Sequence, residues 1–130
     1  MTLKAGDVRA WERTFTVEDV RAFGEITGDK GGHHVQPDAR GRLMVQGLLT
    51  ATLPTKIGGD LDYIAREMVF EFLRAVFTGD TVRCEVTFTT VEPDGRKTRV
   101  EATFTGRNQA GEEVMRGTTR GIVRAAPPSP

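Results

Sequence analysis

Val45-Gln46-Gly47-Leu48-Leu49-Thr50-Ala51-Thr52-Leu53 is the stretch whose reading decides the fold. Wound as a helix, it sets Leu48, Leu49, Ala51 and Leu53 around an axis with almost no polar face. That pattern predicts a helix buried on most sides. Pro54 follows at once and lacks the N–H that would bond the carbonyl of Thr50, so a kink or an early end is expected there. Gly58-Gly59 then closes the element. Gly47, near its start, lets a ligand approach free backbone N–H groups closely.

A buried helix needs something to bury it, and the second half of the chain supplies strands. Met68, Phe70 and Phe72 alternate with Glu67, Val69 and Glu71. Val82, Cys84, Val86 and Phe88 alternate with Arg83, Glu85, Thr87 and Thr89. After the turn Glu92-Pro93-Asp94-Gly95, Thr98, Val100, Ala102 and Phe104 alternate with Arg99, Glu101 and Thr103. Asn108-Gln109-Ala110-Gly111 is the next turn, and residues 114–123 form a last, less regular strand. Period-2 strands with one apolar face predict an antiparallel meander. Such a sheet needs a cover, and the helix from Val45 is the only candidate apolar enough. The expected fold is α+β, one antiparallel sheet wrapped around one buried helix. A single domain is expected over residues 1–124. The proline-rich tail 125–130 is expected to fray.

Upstream, residues 8–15 predict a first strand, with Trp11, Arg13 and Phe15 on one face. Thr16 then caps a helix: its hydroxyl can accept from the N–H of Asp19, and Glu18 and Asp19 suit the positive helix end. Phe15 and Val20 flank the cap as a staple. Val17, Val20, Phe23 and Ile26 form one apolar stripe, and Gly28 is the expected stop.

The helix therefore delivers Asp29 to the first position past its end, five residues before His34. On a continued helix the two would lie roughly 140° apart. Gly31 and Gly32 argue for a left-handed bend instead, on which the two side chains can converge. A turn with solvated polar residues is the plain alternative. His33 is expected to point away from His34 and lie exposed. Residues 37–44 read as an irregular connection.

Composition narrows the function. The chain of 130 residues balances 18 basic against 18 acidic residues, which gives no pointer to nucleic acid or an anionic membrane. No apolar run spans a bilayer, and no stretch has the parts of a secretory signal. The single cysteine, Cys84, suits a reducing cytoplasm and reads as a small core hydrophobe. Two adjacent histidines lack zinc-site spacing, and the Gly28–Gly32 loop places an acid where a phosphate would sit. No metal and no cofactor are expected.

These residues resemble one branch of the hot-dog fold, the MaoC-like or (R)-specific enoyl-CoA hydratases. Phe15-Thr16-Val17-Glu18-Asp19-Val20 with Phe23 is similar to the family's first helix. Gly28-Asp29 followed by His34 resembles its Gly-Asp-x-Asn-Pro-x-His motif. Val45-Gln46-Gly47-Leu48-Leu49 resembles the Val-His-Gly-Met-Leu that opens the central helix. Phe70-Glu71-Phe72 with Val76-Phe77-Thr78-Gly79-Asp80 resembles a later strand and its Phe-x-Gly-Asp turn. The resemblance implies addition of water to trans-2-enoyl thioesters on coenzyme A or acyl carrier protein, or the reverse dehydration. It implies that Asp29 activates the water, that His34 holds the same water and shares the proton transfer, and that the Gly47 N–H binds the thioester oxygen. It also implies a dimer with an acyl tunnel near the subunit interface. The chemistry is coherent: addition needs a base for water, an acid for the α-carbon and a donor where enolate charge develops.

Three departures are visible. Gly31-Gly32 replaces Asn-Pro, Gln46 replaces the His before Gly47, and the family's helix hydroxyl falls at Thr55 directly after Pro54, with Thr52 as its substitute if the helix ends early. Gln46, Gly47 and Thr55 are the expected substrate-binding residues. Lys30, Arg40, Arg42 and Arg74 are candidate partners for carrier phosphates. The alternatives are a thioesterase or specialised biosynthetic thioester enzyme on this fold, and a non-catalytic acyl-binding or scaffold subunit.

Overall fold

The computed structural model describes residues 2–124. The expected frayed tail, 125–130, lies outside them. The chain opens with β1 (Val8–Thr14) and α1 (Val17–Thr27), followed by the single turn α2 (Gly32–Val35). Helices α3 (Gly47–Thr50) and α4 (Thr52–Asp60) come next. Strands β2 (Tyr63–Phe72), β3 (Thr81–Asp94), β4 (Lys97–Arg107) and β5 (Glu113–Arg124) complete it.

The five strands form one antiparallel sheet in the order β1-β3-β4-β5-β2. Only β3, β4 and β5 make the expected meander. Strand β2 passes to the far edge and pairs with β5, with Phe70 opposite Gly117. Alternation reports which face is buried but not which strand lies beside which, so this crossover is invisible to it. Gly117 shows what the pairing demands: a Cβ there would lie 1.9 Å from the Val69 carbonyl oxygen and 2.5 Å from Phe104 Cζ.

The alternation itself is realised. Val82, Cys84, Val86 and Phe88 of β3 and Val100, Ala102 and Phe104 of β4 are buried on the face that receives the helix. Leu49, Leu53 and Ile57 fill that face from the other side. Full burial of one such side chain contributes roughly 1.5–3 kcal/mol. Cys84 is wholly enclosed, and burial first, then the Glu85 charge, pushes its thiol up to about 12. It stays a protonated core side chain at neutral pH.

The central helix differs from expectation in where it breaks. The interruption falls at Ala51, three residues ahead of Pro54, and α4 runs through Pro54 to Asp60. Pro54 thereby becomes the third residue of a new helix, where backbone N–H groups have no intrahelical partner anyway. Leu48 also differs: it is 62% exposed.

Helix α1 starts as expected. Thr16 Oγ1 accepts from the Asp19 N–H at 3.1 Å, and Asp19 Oδ2 accepts from the Thr16 N–H at 3.0 Å. Arg13 closes on Asp19 at 2.7 Å. Partial burial pulls the Asp19 pKa up, but the Thr16 hydrogen bonds and the Arg13 guanidinium outweigh it and hold the carboxyl below its ordinary value. Val20 is buried, whereas Ile26, expected on the same stripe, is 83% exposed. Among the described residues no helix is long and apolar enough to cross a membrane.

Candidate active site

Gly28 ends α1 in the left-handed region at φ 78°, with its N–H bonded to the Gly24 carbonyl. The bend therefore belongs to Gly28. Gly31 has φ −54°, and neither it nor Gly32 is left-handed, contrary to expectation. Gly31 serves a different need: a Cβ on it would come within 3.0 Å of the His33 ring. Helix α2 then turns the chain once and directs His34 inward.

The His34 side chain is 7% exposed, and its Nδ1 lies 2.7 Å from the Met44 carbonyl oxygen. A carbonyl only accepts, so Nδ1 carries a proton and donates. That fixes the tautomer of the neutral ring: Nε2 presents its lone pair. Nε2 faces Asp29 Oδ1 at 3.7 Å. This is too long for a direct hydrogen bond, but one water can lie about 2.8 Å from both atoms. The Asp29 carboxylate is half exposed. Acid and imidazole are thus brought close together, the convergence that the resemblance implied.

Gly47 lies on the opposite side of His34. The two share a cavity of about 400 Å³ with Thr50, Phe72 and Val76. The Gly47 N–H has no hydrogen-bond partner among the described residues, because the N–H groups that bond back in this turn are those of Leu49, Thr50 and Ala51. The Phe72 ring packs against its Cα: an added Cβ would meet that ring at 3.3 Å. Asp29 opens into a second cavity of about 260 Å³, with Gln46, Lys30 and Val20. His34 lines both cavities, one with the Asp29 carboxylate and the other with the Gly47 backbone donor.

Gln46 is fully buried. Its Nε2 donates to the Val20 carbonyl at 2.9 Å and, more weakly, to the Asp29 carbonyl at 3.4 Å. It therefore ties the start of α3 to α1 and to the backbone that carries the acid. Its Oε1 is buried without a partner. Thr55 is not brought to this site. It is exposed on α4, donates to the Thr52 carbonyl and borders a separate apolar cavity of about 90 Å³ under α4, with Tyr63 and Met68. Thr52 donates to the Leu49 carbonyl. His33 is exposed, as expected, with its ring centroid 3.9 Å from that of His34. Of the basic candidates, Lys30 pairs with Glu25 at 2.6 Å and Arg42 with Asp38 at 2.9 Å. Arg74 pairs with Glu112 at 3.3 Å and also borders the Gly47 cavity.

Sequence reasoning missed Thr50. It is 2% exposed and lies in the cavity with His34 and Gly47. Its only signal in the sequence is a hydroxyl on an otherwise aliphatic helix face.

No family model matches the chain, and no curated protein sequence matches it. Solved structures do. An (R)-hydratase from A. caviae involved in PHA biosynthesis is 25% identical, with a TM-score of 0.80 over 96% of this chain and 98% of that one. R-hydratase PhaJ1 from Pseudomonas aeruginosa is 19% identical, with a TM-score of 0.78 over 98% and 91%. Its fold is that of the MaoC-like hot-dog proteins. A MaoC-like dehydratase from Rhodospirillum rubrum, 20% identical with a TM-score of 0.76 over 97% and 96%, shares the same MaoC-like architecture.

Proposed function

We propose that the protein hydrates trans-2-enoyl thioesters to 3-hydroxyacyl thioesters, or runs the reverse dehydration. The observation that carries this is the Asp29–His34 pair: 3.7 Å apart, with the imidazole oriented by the Met44 carbonyl. The likeness to hydratases and dehydratases of the same architecture supports it.

In the forward direction, water between Asp29 and His34 loses one proton to this pair as its oxygen bonds to C3. The C2–C3 π electrons move toward the carbonyl, and the Gly47 N–H binds the thioester oxygen as negative charge gathers there. C2 then receives the proton, and the product is the 3-hydroxyacyl thioester. His34 borders both cavities, so a water held at its ring edge beside Asp29 can meet C3 of a thioester whose oxygen lies at Gly47.

We further infer that two copies pair through β2. This ten-residue strand is a sheet edge, and Ile64, Val69, Phe72 and Leu73 on or beside it are exposed, as is Leu48. An edge of that length with apolar side chains is a template for a second strand. Sedimentation at micromolar concentration is expected to give a dimer; a monomer would contradict it.

The experiment for the activity is direct. Purified protein is mixed with crotonyl-CoA, longer enoyl-CoA and an enoyl acyl carrier protein, and the enoyl absorbance is followed together with free thiol. Loss of absorbance without thiol is the expected result. Thiol release with the chromophore intact would indicate a thioesterase. No change with any substrate would leave an acyl-binding subunit.

A further inference from the structure

Four helical threonines can be compared within this one chain. Thr27 Oγ1 donates to the Phe23 carbonyl at 2.6 Å, Thr55 Oγ1 to the Thr52 carbonyl at 2.8 Å, and Thr52 Oγ1 to the Leu49 carbonyl. Each spends its hydroxyl on backbone three or four residues earlier, the ordinary arrangement for a threonine in a helix. Thr50 does not. Among the described residues its hydroxyl has no hydrogen-bond partner, although the residue is only 2% exposed.

The reason is local. The Gln46 carbonyl, four residues earlier, already accepts from the Leu49 N–H at 3.0 Å and the Thr50 N–H at 3.1 Å, and the Gly47 carbonyl, three earlier, from the Ala51 N–H at 2.9 Å. The hydroxyl is not sealed in: among the described residues Gln46 Oε1 is the buried side-chain polar atom without a partner, so Thr50 Oγ1 opens to the cavity that Thr50 lines. Thr50 sits among Val45, Phe72 and Val76, where valine would be the unremarkable choice.

The hydroxyl also faces a place where a ligand oxygen is wanted. A helical side chain leans toward the helix N-terminus, over the residues three and four before it. For Thr50 those are Gly47 and Gln46. Thr50 and Gly47 border the same cavity, and the Gly47 N–H is unpaired as well. Two unspent donors on one turn of helix thus open into one cavity beside His34.

We propose that the Thr50 hydroxyl is a second donor to the thioester oxygen, acting with the Gly47 N–H to stabilise the enolate charge. This rests on the hydratase reading above. It also states what that reading lacks, since a single backbone N–H is a sparse oxyanion site.

The test is Thr50→Val and Thr50→Ser, measured for melting temperature and for crotonyl-CoA hydration. Valine keeps the shape and removes the unbonded hydroxyl, so Thr50→Val is expected to melt at the same temperature or higher. Its kcat is expected to fall about a hundredfold with KM changed less than threefold. Thr50→Ser, which keeps the donor, is expected to recover most of kcat. A merely structural threonine would give the opposite pattern, with a lower melting temperature and unchanged kcat. If the wild type hydrates crotonyl-CoA and Thr50→Val keeps its kcat, the Thr50 role is overturned and the hydratase reading stands. If the wild type hydrates no enoyl thioester, both are overturned.

Discussion

Helix α1 has a polar cluster at each end, and the two are built in opposite ways. At its start, Thr16 and Asp19 exchange two hydrogen bonds and Arg13 adds an ion pair, so every group has a partner. Past its end, Asp29 and His34 stop 3.7 Å apart, the Gly47 N–H and the Thr50 hydroxyl are unbonded, and Gln46 Oε1 is buried without a donor. Polar groups that satisfy one another lower the energy of the fold and have nothing left to offer. Groups held in place but left unbonded raise its energy and are available to a ligand. On the proposed function, the first cluster serves structure and the second chemistry.

Substitutions can break that contrast. The largest expected effect is at the chemical end: Asp29→Asn should lower the hydration rate about a thousandfold, since it removes the base. Its melting temperature should stay within about 2 °C of the wild type, because the half-exposed carboxylate makes no direct hydrogen bond and stands 3.7 Å from His34 Nε2. At the other end the signs reverse. Thr16→Ala should destabilise by about 1 kcal/mol in urea unfolding and leave the rate unchanged. The smallest effect concerns acid. The folded-state pKa of Asp19 lies below its unfolded value, so its stabilising contribution is present above about pH 4. That contribution fades as the pH falls through the lower folded value. Asp19→Asn should therefore be less stable than the wild type at pH 7, with the gap closing below about pH 4. A gap that widens in acid would contradict the assignment.

The two ends also differ in how readily the sequence discloses them. The cap depends on residues within four positions of one another, and its hydrogen bonds, the buried alternation of β3 and β4 and the enclosed Cys84 all follow from local pattern. Spacing left the Asp29–His34 convergence open beside a solvated turn, and the motif resemblance favoured it; its device was not legible, since the left-handed residue is Gly28 and Gly31 makes room for the His33 ring. Three features could not be read. The passage of β2 to the edge beside β5 is a long-range choice that alternation does not encode. Exposure of Leu48 and Ile26 is hidden because periodicity marks an apolar stripe without saying what covers it. Thr50 is conspicuous only once the Gln46 and Gly47 carbonyls are seen to be taken by backbone N–H groups and the residue is seen to line the cavity.

The central claim is that Asp29 and His34 act on one water as a unit. Two groups that share one task do not lose activity additively when both are removed. The decisive measurement is therefore a double-mutant cycle on crotonyl-CoA hydration, using Asp29→Asn, His34→Ala and the two combined. The account predicts that the double variant is no slower than the slower single one, within about threefold. Losses that multiply in full would mean that the two residues act independently, and would contradict it.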